Sequence, residues 1–171
     1  CLSGVIVGAE ALLRWNHPVR GIVSPVEFIP VLEEINLIEE VGTWVLNEAC
    51  RQLRQWSDRG IELPAVAVNF SARQLDRGEL VAKVRTALDL HGIRPDRLEL
   101  ELTESLLMRN VEQVIKTLAE LRQLGVKLSV DDFGTGYSSL SYLKQFPLDS
   151  VKVDRAFVQD ITADPDDASI T

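Results

Sequence analysis

The chain has 171 residues, 46% hydrophobic and 26% charged, a balance that fits one packed domain and excludes a disordered segment. Its net charge of −8 argues against binding to a nucleic-acid polymer, and no apolar run nears the roughly 18 residues that span a bilayer, so no membrane contact is expected from this segment. Cys1, Cys50, His17 and His91 are too scattered for a zinc cluster, the lone cysteines fit a reducing, cytoplasmic setting, and against the net charge of −8 a phosphate-ester ligand would need metal ions or local cations to bring it in.

The chain opens on Cys with no secretory signal, and is expected to be an excerpt of something longer. A first strand is predicted over residues 5–10. Val41, Trp44, Val45, Ala49, Leu53 and Trp56 recur at helical spacing and predict an amphipathic helix with both tryptophans in the core. That helix ends at Gly60, and residues 65–70 read as the next strand. A second helix ends at Gly92, before a strand over 98–102. Val111, Val114, Ile115, Leu118 and Leu121 mark a third helix, which ends at Gly125, before a strand over 127–130. At each of these ends glycine takes the left-handed conformation at low cost, and the apolar residue after it is expected to pack back on the helix. A last short strand is predicted over 150–153, and the acidic run Asp164–Asp167 is a helix start or a frayed end. Strands that alternate with helices imply parallel pairing through helical crossovers, an α/β fold.

The polar residues fall where the strands end: Glu10, Asn69, Glu101 with Glu104 just beyond, the pair Asp131-Asp132, and Lys152. In a β/α barrel the carboxyl ends of the strands share one mouth. Carboxylates gathered there with an amide and a lysine form an oxygen-rich set that suits Mg²⁺ or Mn²⁺. Parity places Glu99 and Glu101 on one face of their strand, toward the barrel, and Leu98, Leu100 and Leu102 on the other, against the helices. Asp131 and Asp132 cannot both point inward along a regular strand, so the backbone must bend at Phe133-Gly134-Thr135-Gly136. Singly, each residue has a plainer reading. The aspartate pair suits a turn, Glu10 an edge-strand surface, Asn69 a turn, Lys152 a solvated strand end, and Glu104 a helix start. His17 suits loop packing, and Ser71 an N-cap or loop donor.

Together these residues lie in motifs that resemble the EAL domain family. The motifs are Gly8-Ala9-Glu10-Ala11-Leu12-Leu13-Arg14-Trp15, Phe28-Ile29-Pro30, Val68-Asn69-Phe70-Ser71 with Gln74, and Glu101-Leu102-Thr103-Glu104. Asp131-Asp132-Phe133-Gly134-Thr135-Gly136 and Lys152-Val153-Asp154-Arg155-Ala156-Phe157-Val158 follow in family order. Asn36 stands where the family has glycine, and asparagine also tolerates a left-handed turn. The resemblance implies a modified TIM-type (β/α) barrel that hydrolyses cyclic di-GMP to the linear dinucleotide 5′-pGpG, with two Mg²⁺ or Mn²⁺ ions at its mouth and Ca²⁺ inhibitory. It implies that Glu10, Asn69, Glu101 and Asp131 ligate one ion and Asp132 the second. It further implies that Lys152 positions or deprotonates the attacking water and that Glu104 steadies the loop after Asp132. Leu12, Arg14 and Gln74 fall at substrate-contact positions, although Arg14 equally suits a structural partner for Glu104 or an aspartate. A TIM-type barrel takes about 250 residues. Residues 1–171 are therefore expected to be a partial EAL domain, an incomplete barrel lacking the family's first strand and its later glutamates and glutamine. A homodimer is expected through the helix after the aspartate loop, residues 138–144, with flanking sensor or GGDEF-type domains in the parent. A cyclic di-GMP receptor without turnover and a dimerisation module are the alternative functions.

Overall fold

The parity of each central strand decides the architecture. Val66, Val68 and Phe70, then Leu98, Leu100 and Leu102, then Leu128 and Val130 put branched or aromatic side chains on one sheet face, and all are buried there. Helices cover that face, while the opposite face carries the charged residues. The computed structural model describes residues 4–71, 74–75, 78–108, 110–134 and 143–154.

Among these residues the elements run β1 (Ala9–Ala11), β2 (Trp15–His17), β3 (Gly21–Val23), α1 (Pro25–Glu34), α2 (Ile38–Asp58) and β4 (Val66–Phe70). They continue with α3 (Leu80–His91), a 3-10 turn (Pro95–Arg97), β5 (Leu98–Thr103), α4 (Glu104–Leu107), α5 (Val111–Leu124), β6 (Lys127–Phe133) and β7 (Ser150–Val153). The main sheet has the order β1-β4-β5-β6-β7, and every pair in it is parallel. This curled parallel sheet, with its helices on one side, is the incomplete TIM-type barrel that the sequence predicts. β2 and β3 form a separate antiparallel pair. No described helix is long and apolar enough to cross a membrane.

Helix α3 stops at Gly92 and α5 at Gly125, both in the left-handed conformation with φ of 62° and 100°. Ile93 and Val126, the next residues, are buried as expected, whereas Ile61 after Gly60 stays half exposed. Asn36 takes φ 60°, the left-handed turn that asparagine tolerates.

Three further expectations need correction. The first strand is only Ala9–Ala11, and Val5, Ile6 and Val7 before it are exposed. Strand β6 runs on through Phe133 instead of ending at Val130. Trp44 is 57% exposed, not core. The buried stripe of α2 is Leu46, Ala49, Cys50 and Leu53. Trp44 precedes Leu46 by two residues, roughly 200° around the helix. It lines a groove between α2 and the β1 edge with Ala9, Val45 and Trp56. Trp56 is partly buried against the core.

Candidate active site

Register puts the polar side chains on one face. Glu10 pairs with Ala67, Asn69 with Glu101, and Glu101 with Ser129. Paired residues in parallel strands point the same way, so Glu10, Asn69, Glu101, Ser129 and Asp131 share the inner face, with Lys152 joining from β7.

Carboxylate oxygens of Glu10, Glu101 and Asp131 lie within 4.8 Å of one another. Asn69 Nδ2 donates to Glu10 Oε1 at 2.7 Å. Lys152 Nζ donates to Glu101 Oε1 in a short ion pair. Burial would lower the Lys152 pKa, but its hydrogen bond to Glu101 and the surrounding carboxylates outweigh this and hold the ammonium above its ordinary value. Burial pushes the Glu101 carboxyl up; Lys152 opposes this, while Glu10 and Asp131 add to it. Glu101 is almost fully buried, and its Oε2 has no hydrogen-bond partner. A buried oxygen without a donor, on a carboxylate close to two more carboxylates, is costly unless a cation satisfies it. These donors therefore fit a hard divalent ion, and the described residues hold an acidic group able to bind one.

The bend expected at the aspartate pair is present. Asp132 has φ 53°, and the β6–β7 register shifts between Val130 and Phe133. The bulge turns Asp132 away from the line of Asp131. Burial pushes the Asp132 carboxyl up, as do the charges of Asp131 and Asp154 and a hydrogen bond with Asp154. Asp154 was not among the sequence-predicted site residues. Its signal was its parity with Lys152, two positions earlier on β7.

Glu104 is the first residue of α4, and its Oε2 accepts the Gly134 N–H at 2.8 Å. It thus serves both as a helix-start acid and as an anchor for the backbone after Asp132. Leu12, Arg14, Asn69, Gln74 and Thr103 line a cleft of about 540 Å³ beside the cluster. Arg14 donates to the Leu13 carbonyl and pairs with no carboxylate among the described residues. Gln74 Oε1 accepts the Ser71 N–H at 3.0 Å. Ser71 Oγ is buried without a partner, so the capping role expected of it is absent. His17 ends β2 instead of lying in a loop, and packs on the turn that follows, with Nδ1 accepting the N–H groups of Val19 and Arg20. Residues 135–142 and 155–171, which include Thr135, Gly136, the acidic tail and most of the expected dimer face, lie outside the described residues.

A family model of the EAL domain matches residues 1–171. The chain belongs to the EAL domain family. It is 48% identical over 168 residues to the bifunctional diguanylate cyclase/cyclic di-GMP phosphodiesterase MucR of Pseudomonas aeruginosa, covering 98% of this chain and 24% of that protein. It is 49% identical over 168 residues to the cyclic di-GMP phosphodiesterase NbdA of the same organism, covering 98% of this chain and 22% of that protein. A solved structure of the PaMucR phosphodiesterase in complex with c-di-GMP superposes with a TM-score of 0.87 at 48% identity, over 94% of this chain and 65% of that one. This EAL domain chain thus spans about a quarter of the length of those curated relatives.

Proposed function

We propose that the protein carrying this EAL domain hydrolyses cyclic di-GMP to linear 5′-pGpG with the help of two Mg²⁺ or Mn²⁺ ions. The observation that carries the reading is the inner-face cluster of Glu10, Glu101 and Asp131, with a buried glutamate oxygen that has no donor. The relatives named for cyclic di-GMP turnover supply the substrate. Glu10, Asn69, Glu101 and Asp131 would hold one ion and Asp132 the second, with Ca²⁺ as an inhibitory substitute. Bound ions would supply neutralisation of the phosphodiester charge and a more acidic water.

The chain's own groups account for the rest. Lys152, whose Nζ donates to Glu101, would position or deprotonate the attacking water. Glu104 fixes Gly134, and through it the bulge that aims Asp132. Leu12 and Arg14 line the adjacent cleft, where an exposed guanidinium suits phosphate oxygens. A homodimer, a cytoplasmic setting and flanking sensor or GGDEF-type domains complete the proposal. Incubation with cyclic di-GMP in Mg²⁺ or Mn²⁺, followed by chromatography, tests it. Linear dinucleotide that disappears on chelation is expected, and its absence from folded protein in excess metal contradicts the reading.

A further inference from the structure

Gly42 lies inside α2, where glycine is about 0.5–1 kcal/mol worse than alanine. The reason for a glycine there is space. A Cβ on Gly42 would stand 1.8 Å from Gln74 Nε2 and 2.8 Å from Gln74 Cδ. The Gln74 amide therefore rests directly on the α2 backbone, and the residue is only 7% exposed. Its oxygen faces the other way and accepts the Ser71 N–H, while its own backbone N–H donates to the Ser71 carbonyl at 3.2 Å. Ser71 directly follows β4. Two residues before it, Asn69 donates to Glu10 at the edge of the carboxylate cluster.

We propose that Gly42 and Gln74 form a notch and wedge that fix the end of β4 and so place Asn69. Gln74 is then a positioning residue that acts through Ser71 and Asn69, not a substrate contact. The geometry favours this because its Oε1 accepts the Ser71 N–H and its Nε2 end is packed against Gly42. Any side chain at position 42 drives the amide out, frees the Ser71 N–H, and lets Asn69 drift from Glu10. The consequence for cation affinity rests on the proposed reading of the cluster.

The test is a double-mutant cycle on the whole chain with Gly42→Ala, Gln74→Ala and the two combined. Mn²⁺ affinity is read from the electron-spin-resonance signal of the free ion, and thermal unfolding is followed in parallel. Gly42→Ala should weaken Mn²⁺ binding about 10-fold, the scale on which groups supporting a ligand act. The combined variant should bind no more weakly than Gln74→Ala alone, because the clash needs both partners. Wild-type affinity in Gly42→Ala with a raised melting temperature, or losses that multiply in the combined variant, would overturn the proposal. If Gly42→Ala does not fold, Gln74→Met replaces it. Methionine fills the same space without an acceptor for Ser71, so affinity should fall several-fold, and unchanged affinity would overturn the proposal. The side-chain amide resonance of Asn69 reports its placement without metal. It should shift in each single variant, and an unmoved resonance also overturns the proposal. A wild-type chain that binds no Mn²⁺ sinks the cation site instead, and the notch is then judged on that resonance alone.

Discussion

Glu104 and Cys50 are both buried, and each makes a different demand on its surroundings. The Glu104 carboxylate is the acceptor for the Gly134 N–H, so Glu104→Ala leaves a part-buried donor unpaired. A loss of about 1–3 kcal/mol in denaturant unfolding is expected. Hydrolysis should fall further than this destabilisation explains, because Asp132 loses its aim. Full activity in a folded Glu104→Ala variant would contradict that role. Burial pushes the Cys50 thiol up to about 11 from an ordinary value of 9.0. Because the folded value lies above the unfolded one, the thiol's contribution to stability is complete below about 9 and is lost as pH rises toward 11. Iodoacetamide at pH 8 should therefore spare Cys50 in the native chain and modify it in urea, as mass spectrometry of its peptide would show. Fast native labelling would contradict the burial. The residues of the cluster were legible because strand parity and family order both point to Glu10, Asn69, Glu101, Asp131 and Lys152. The partnership of Gln74 with Gly42 was not legible, since the two are far apart in sequence and the contact is one of shape, which leaves no local pattern.

Between elements, the joint of α2 and α3 rests on Lys83, which reaches Glu39 at 2.6 Å and Glu79 at 3.2 Å. The hydrogen bond to Glu39 outweighs burial and raises the Lys83 pKa, while the other Glu39 oxygen is buried without a partner. Lys83→Met strands that carboxylate and should lower stability by about 1–3 kcal/mol in urea unfolding. Adding Glu39→Gln should recover part of the loss, and strictly additive losses would show that the pair does not interact. The helices and central strands could be read because apolar spacing and helix-stop glycines agree. The β2–β3 pair could not, since each strand has three residues and no alternation to betray it. Trp44 was misread for a related reason. Its spacing fits the α2 stripe loosely, and only the position of β4 reveals that the stripe centres on Leu46, Ala49, Cys50 and Leu53.

For the molecule as a whole, one curled parallel sheet separates two environments. Leucines and valines pack under helices on the outside, and carboxylates face inward on the same strands. The inner face places three carboxylates together with Lys152 on one of them, an arrangement that asks for a cation. The most direct test of that claim is Mn²⁺ titration of the wild-type chain beside Glu101→Gln, a substitution that keeps the shape and removes the central charge. Saturable Mn²⁺ binding in the wild type, weakened at least about 10-fold in a Glu101→Gln variant that still folds, is the predicted result. Equal binding in the two, or none in either, would contradict the account.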